Sequence, residues 1–114
     1  MADCLFCRIV SGEIPATIVR ESERTVAFRD VNPQAPTHVL VIPRKHVAAV
    51  GELAREEPDL LVELMRESEA VAAQEGLLDG GYRTVFNTGP DGGQMVFHVH
   101  AHVLGGRQMG WPPG

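Results

Sequence analysis

The stretch His98-Val99-His100-Ala101-His102-Val103-Leu104 decides how this chain is read. It holds three of the five histidines in the sequence, in strict alternation with aliphatic residues. On a helix, His98 and His102 would share a face while His100 pointed away; on a strand, alternate residues share a face. The pattern therefore predicts a strand, running from Gln94 to Leu104. All three imidazoles should line one side of it, roughly 6.5–7 Å apart, with Val99, Ala101 and Val103 packed on a core behind them. Such a row offers nucleophiles, proton donors and metal ligands together. A lone strand histidine is ordinarily a satisfied polar residue. Three in register are harder to explain that way, because each brings two ring nitrogens that need partners when buried. Two uses remain open, covalent catalysis and a poly-histidine metal site.

Working outward, Asn87-Thr88-Gly89-Pro90-Asp91-Gly92-Gly93-Gln94 precedes the row. Glycines let a backbone approach a phosphate closely, and N–H groups in such turns bind anions. Beside histidines this points to a phosphate ester or phosphoramidate. Pro58 suits the first position of a helix. That helix should run to Gly76, which is placed to end it in a left-handed conformation. Leu61, Leu64, Met65, Ser68 and Ala72 should form its buried face. Further strands are expected over Thr17–Arg20, Thr25–Arg29, Val39–Ile42 and Tyr82–Asn87, with a short helix over Cys4–Val10. The prolines of Asn32-Pro33-Gln34-Ala35-Pro36 enforce a loop. One long helix with about five strands joined by short turns reads as α+β with an antiparallel sheet.

Length and composition narrow the function. A chain of 114 residues fits a single domain over 1–114. It is 44% hydrophobic and 22% charged, which excludes whole-chain disorder, and only 5% aromatic, so aliphatic residues must build the core. A net charge of −5 argues against a broad nucleic-acid-binding face. Nine of the 15 acids lie between Glu52 and Asp79, against Arg55 and Arg66 alone, and are expected to form a solvated helix face. No apolar run approaches the ~20 residues that span a bilayer. Met1-Ala2-Asp3-Cys4 lacks the basic and apolar regions of a secretory signal. With only two cysteines, as Cys4-Leu5-Phe6-Cys7, a reducing, cytoplasmic setting is expected.

The triad stretch matches the His-φ-His-φ-His-φ-φ signature of the histidine-triad (HIT) superfamily, where φ is hydrophobic. More of the chain resembles its Hint-like nucleotide-binding branch. The stretches concerned are Asp30-Val31-Asn32-Pro33-Gln34-Ala35-Pro36-Thr37-His38, Val41-Ile42-Pro43-Arg44-Lys45-His46, Asp91-Gly92-Gly93-Gln94, and the tail from Gly105 through Trp111 to Gly114. The resemblance implies the HIT fold, a homodimer, and binding of purine nucleoside monophosphates. It also implies hydrolysis of nucleoside phosphoramidates and adenylates through a covalent nucleotidyl-histidine, with no cofactor required for the chemistry. His100 then attacks phosphorus and His102 contacts the phosphate or assists proton transfer. His98 supports the row, and His38 orients the nucleophile from a neighbouring strand. Asn87, Gly93 and Gln94 match the phosphate-contacting stretch. Asp30 matches the ribose-binding acid, and Phe6, Ile9, Phe28 and Val31 match the apolar slot for the base. Trp111 lies in a tail, residues 105–114, that the family places near the partner subunit's active site.

Two features qualify this reading. Met95 stands where Hint proteins commonly carry a serine, and a thioether cannot donate the hydrogen bond a hydroxyl gives to phosphate or leaving group. This keeps open a nucleotide-binding regulatory module with little turnover. Separately, two thiolates need two further ligands for a closed tetrahedral zinc site. Some histidine-triad proteins carry a Cys-Cys-His-His zinc at these positions, which here are Cys4, Cys7, His46 and His98. The alternatives are two reduced cysteines packed as small hydrophobes, or a zinc hydrolase using the three triad histidines as ligands.

Overall fold

The computed structural model describes residues 3–114. Its elements are α1 (Leu5–Val10), β1 (Ile18–Glu21), β2 (Thr25–Arg29), β3 (Thr37–Pro43), α2 (Val50–Glu56), α3 (Pro58–Gln74), β4 (Tyr82–Val85) and β5 (Ala101–Gly105). The five strands form one antiparallel sheet in the order β1-β2-β3-β5-β4. This is the α+β arrangement expected from the sequence, one long helix and a short N-terminal helix on a five-stranded sheet. Among the described residues, no helix is long and apolar enough to cross a membrane.

Alternation along the strands divides the protein into two layers. Ala27, Val39, Val41, Ala101 and Val103 pack with Leu53, Leu60, Leu64 and Val71 from the two later helices. On the opposite face, Val26, Phe28, Leu40 and Ile42 pack with Phe6 of α1. Pro58 opens α3 as expected. The helix closes in a Schellman motif: Leu77 N–H donates to the Ala72 carbonyl and Gly76 N–H to that of Ala73, with Gly76 at φ +75°.

Four expectations need correction. The buried face of α3 is Leu60, Leu64, Ser68, Val71 and Ala72, while Met65 is exposed. The helix is rotated because Leu60 and Val71 reach deeper toward the sheet than Leu61 and Met65. Its acids are not simply solvated. Glu63, Glu67 and Glu75 pair with Arg24, Arg20 and Arg29 of the β1–β2 hairpin at 2.8–2.9 Å. Helix α2 was not anticipated. It is only seven residues long, contains Gly51, and is anchored by fully buried Leu53 and by Glu52, whose carboxylate accepts the Ala48 N–H. Finally, the strand expected over Gln94–Leu104 is ladder-paired only from Ala101. Its neighbour β3 ends at Pro43, which ends the available ladder. The segment before Ala101 turns instead against the loop after β3, where Val99 N–H donates to the Val47 carbonyl at 2.7 Å.

Candidate active site

That departure from the ladder separates the histidines. His102, on β5, sits between Leu40 of β3 and Val85 of β4. His38, on β3, reaches it diagonally, with Nε2 2.9 Å from His102 Nδ1. His100 lies just before β5, its ring centroid 4.9 Å from that of His102. His98 is fully buried and turned toward the cysteines rather than along a common row.

The hydrogen bonds fix the tautomers. The His98 carbonyl can only accept, so His100 Nδ1, 2.8 Å away, carries the hydrogen and leaves the Nε2 lone pair free. Gln34 N–H donates to His38 Nδ1 at 3.0 Å, so the His38 hydrogen sits on Nε2 and is given to His102 Nδ1. His102 must then carry its own hydrogen on Nε2. That atom is buried and has no partner among the described residues. An orphaned buried donor costs about 1–3 kcal/mol, and an anionic oxygen of a bound group would relieve it. Burial pushes all four imidazoles toward the neutral form. His102 is held down to about 4 by desolvation and then by its neighbours His100 and His38, and His98 is also held at about 4 by desolvation. His38 and His100 are lowered by the same cause, with Asp30 opposing it.

Of these, His38, His100 and His102 line a cavity of about 620 Å³. Of the residues expected at the site, His38, His100, His102, Asp30 and Gly93 line it, together with the slot residues Phe6, Ile9, Phe28 and Val31. Phe6 meets Phe28 edge-to-face at 5.4 Å and His100 at 5.0 Å. Val31 is 100% exposed and forms the rim rather than the floor. Asp30 Oδ1 accepts the Asn32 N–H, while Oδ2 lies 3.5 Å from His38 Nε2.

Other expected residues sit elsewhere. Gln94 is buried with its amide committed inward: its nitrogen donates to the Ala48 and Val96 carbonyls and its oxygen accepts the Gly89 N–H. The Gly-rich loop likewise closes on itself, Gly93 N–H donating to the Pro90 carbonyl and Gln94 N–H to that of Gly89. A Cβ on Gly92 would strike the Thr88 carbonyl, which explains the small residue there. Asn87 lies two residues past β4 and does not line the cavity, nor does Trp111, which is 82% exposed. The tail that carries Trp111 is held by Arg83 donating to the Gly110 carbonyl and Arg107 to that of Gln34. Sequence reasoning missed Leu40, Asn32 and Gln34 in the lining. Leu40 was findable, two residues from His38 on the same strand face.

Two groups of side chains converge as metal ligands do. In the first, Cys4 and Cys7 Sγ approach His98 Nδ1 at 3.4 and 3.5 Å, and Cys7 Sγ approaches His46 Nδ1 at 3.4 Å. All four ligand atoms lie within 4.8 Å of one another. Bond lengths of about 2.3 and 2.05 Å at a tetrahedral angle require sulfur–nitrogen separations of roughly 3.5 Å, so the set fits a four-coordinate ion. His98 Nε2–H donates to the Pro43 carbonyl at 2.8 Å, which leaves Nδ1 as the ligand atom. In the chain without a metal, burial and neighbouring Cys4 push the Cys7 thiol up. The second group is Asp30, His38 and His102. It does not suit an ion, because the Gln34 N–H fixes a hydrogen on the His38 nitrogen that would have to bind it. His98, His100 and His102 form no such group among the described residues.

The HIT domain family model matches residues 11–109. The chain is 52% identical to the "14 kDa zinc-binding protein" of Zea mays, covering 96% of this chain and 87% of that one. It is 47% identical to "Adenylylsulfatase HINT1" of Arabidopsis thaliana, covering 96% and 76% respectively. The crystal structure of a HIT family hydrolase from Legionella pneumophila superimposes with a TM-score of 0.95 at 52% identity, covering 98% of this chain and all of that one. The chain belongs to the HIT family.

Proposed function

We propose that this chain is a nucleotide hydrolase that cleaves purine nucleoside phosphoramidates and adenylates through a nucleotidyl-His100 intermediate. One observation carries the reading. The His98 carbonyl holds the Nδ1 hydrogen of His100, so its Nε2 lone pair is free in the same cavity as the orphaned N–H of His102. The neutral His100 Nε2 attacks phosphorus while the His102 N–H takes a phosphate oxygen. The P–N or P–O bond to the leaving group breaks with its electron pair on the departing atom, an amine taking up a proton as it leaves. Water then attacks phosphorus, the P–Nε2 pair returns to His100 and a water proton passes to solvent. Phe6 and Phe28 offer flat apolar walls for a base, and Asp30 can accept from both ribose hydroxyls. The names of the relatives, a HIT family hydrolase and an adenylylsulfatase, support hydrolysis. His100→Ala should abolish turnover of an adenosine phosphoramidate while AMP still binds, measured by product assay and calorimetry. Retention of more than a few per cent of turnover would sink the assignment.

The fit of Cys4, Cys7, His46 and His98 to a tetrahedral ion supports a structural zinc, as does the zinc-binding name of the maize relative. When bound, it would cross-link α1 to the loop after β3 and the segment before β5. That would keep Phe6 at the slot and take no part in the reaction. The partly exposed edge strand β4 and the exposed Trp111 support a homodimer, the tail of one protomer meeting the site of its partner. A single domain in the cytoplasm, free of nucleic acid and membrane, completes the reading.

A regulatory binding module remains the second reading, favoured by one observation. Met95, 86% exposed, lines the cavity, and its thioether cannot donate the hydrogen bond that the serine implied there by the Hint resemblance would give.

A further inference from the structure

We propose that Cys4 and Cys7 form a reversible thiol–disulfide switch. A peroxide joins the two sulfurs, the pair ceases to be a metal site, and the slot held by Phe6 loosens. The proposal rests on the zinc reading, because the same two sulfurs serve both states.

Cys4 and Cys7 are the only cysteines in the chain, so each has one possible partner within it. The Cys4 carbonyl accepts the Arg8 N–H at 3.1 Å, which places Cys4 on the first turn of α1. Residues three apart on a helix have Cα atoms about 5 Å apart, inside the range of roughly 4.4–6.8 Å that a disulfide spans. The two sulfurs already face one way. Both approach His98 Nδ1, at 3.4 and 3.5 Å, and they lie within 4.8 Å of each other. Side-chain rotation closes the rest of the gap to an S–S bond of ~2.05 Å.

Access to the two sulfurs differs. Cys4 lines a groove of about 460 Å³ with Leu5, His46, Met95, Val96 and Phe97, and Cys7 does not. The groove adjoins the histidine-lined cavity and shares Leu5, Met95 and Val96 with it. A peroxide entering there meets the Cys4 sulfur first, and Cys7 is the resolving thiol. Cytosolic thiols are otherwise kept reduced, so such a pair is oxidised transiently.

The Cys4 sulfur takes one oxygen of hydrogen peroxide, the O–O bond breaks and a water leaves. The Cys7 sulfur then attacks that of Cys4, the S–O bond breaks and a second water leaves. Two thiols lose two electrons and two protons, and the peroxide is reduced to two waters. From metal-bound thiolates, the two protons come from solvent instead. Two imidazoles then remain, short of the four ligands of a closed zinc site.

Phe6 carries the change to the slot. It lies between the cysteines in sequence and meets Phe28, His98 and His100 edge-to-face at 5.4, 5.9 and 5.0 Å. It is also the only buried residue of the six-residue α1. An ion on the reduced pair would tie α1 to His46 and His98, whereas a disulfide ties the pair only to itself. Packing of Phe6 is then the main hold on α1.

The test treats the full-length, zinc-loaded protein with hydrogen peroxide. The non-reduced peptide spanning Cys4 and Cys7 should become two hydrogens lighter by mass spectrometry. Zinc should pass to a colorimetric chelator in equal amount, and AMP binding should weaken at least about 5-fold by calorimetry. Dithiothreitol with zinc should reverse all three changes. Diamide, which takes up the two hydrogens itself and spares exposed Met95, should give the same loss of affinity. In Cys7→Ser a sulfenic acid should accumulate on Cys4 and be trapped by dimedone, and Cys4→Ser should lose its remaining thiol more slowly. Separate sulfinic acids, a disulfide between chains, or a disulfide with unchanged AMP affinity would overturn the switch and leave the zinc reading standing. Zinc that stays on the disulfide form, or reduced protein without zinc, would bring down both.

Discussion

Strand β3 sends Val39 and Val41 to one side of the sheet and His38, Leu40 and Ile42 to the other, and the two sides differ in kind. The first is covered by a helix of 17 residues and one of seven, and is filled with aliphatic side chains at or near zero exposure. The second is covered by six helical residues and keeps a cavity. Histidines are tolerated there because most of their ring nitrogens find partners among the described residues; His100 Nε2 and His102 Nε2 do not, and both rings line the cavity. The comparison teaches that stability and chemistry are divided between faces that share the same strands. A metal held by the cysteine–histidine cluster would supply on the thin side the anchoring that α3 supplies by packing on the other.

The sharpest way to break that division is to damage the aliphatic face alone. Leu64→Ala removes a fully buried side chain and should cost about 2–5 kcal/mol of stability. AMP affinity below the melting transition should stay within about twofold, because Leu64 lies across the sheet from the cavity. Denaturant unfolding and calorimetry check the two halves. On the thin face, Cys4→Ser with Cys7→Ser should remove stoichiometric metal, measured by mass spectrometry of the native protein. It should also lower Tm and weaken nucleotide binding through Phe6. Stoichiometric zinc surviving that double change would place the metal elsewhere.

Acid provides a smaller, graded probe. The His102 folded-state value is about 4 against an ordinary 6.5. The unfolded chain therefore binds more protons between those values, and stability rises with pH across that window. Its contribution is complete above about pH 6.5, declines as pH falls, and changes no further below about 4. Thermal melts of the Cys4→Ser, Cys7→Ser protein, which separates this effect from metal release, should show that decline, and His102→Asn should flatten part of it. Least of all, Arg20→Gln breaks a pair with Glu67 at the rim of the aliphatic face. It should cost no more than about 1 kcal/mol and leave turnover unchanged.

How far the sequence reached is clearest at the triad. Alternation correctly joined His102 to a strand packed on a core, because Ala101 and Val103 could go nowhere else. It wrongly extended the strand through His98 and His100, because where the ladder stops is set by the end of β3 at Pro43, 55 residues from His98. The groups that set the tautomers, the Gln34 N–H and the carbonyls of Pro43 and His98, are backbone atoms and carry no signature in residue type. The cysteine cluster was reached through resemblance rather than spacing, since four ligands drawn from three separated segments leave no local pattern. Helix α2 escaped for the same reason, being fixed mainly by Leu53 against the sheet.

The proposed reaction turns on a bond between His100 Nε2 and phosphorus. Rapid mixing with an adenosine phosphoramidate or acetyl adenylate, a quench at neutral to alkaline pH, and peptide mass spectrometry test it directly. One AMP per chain is expected, on the peptide carrying His100, absent from His100→Ala and lost on a timescale that matches turnover. Turnover with no adduct at any time, or an adduct on His102 or His38, would contradict it.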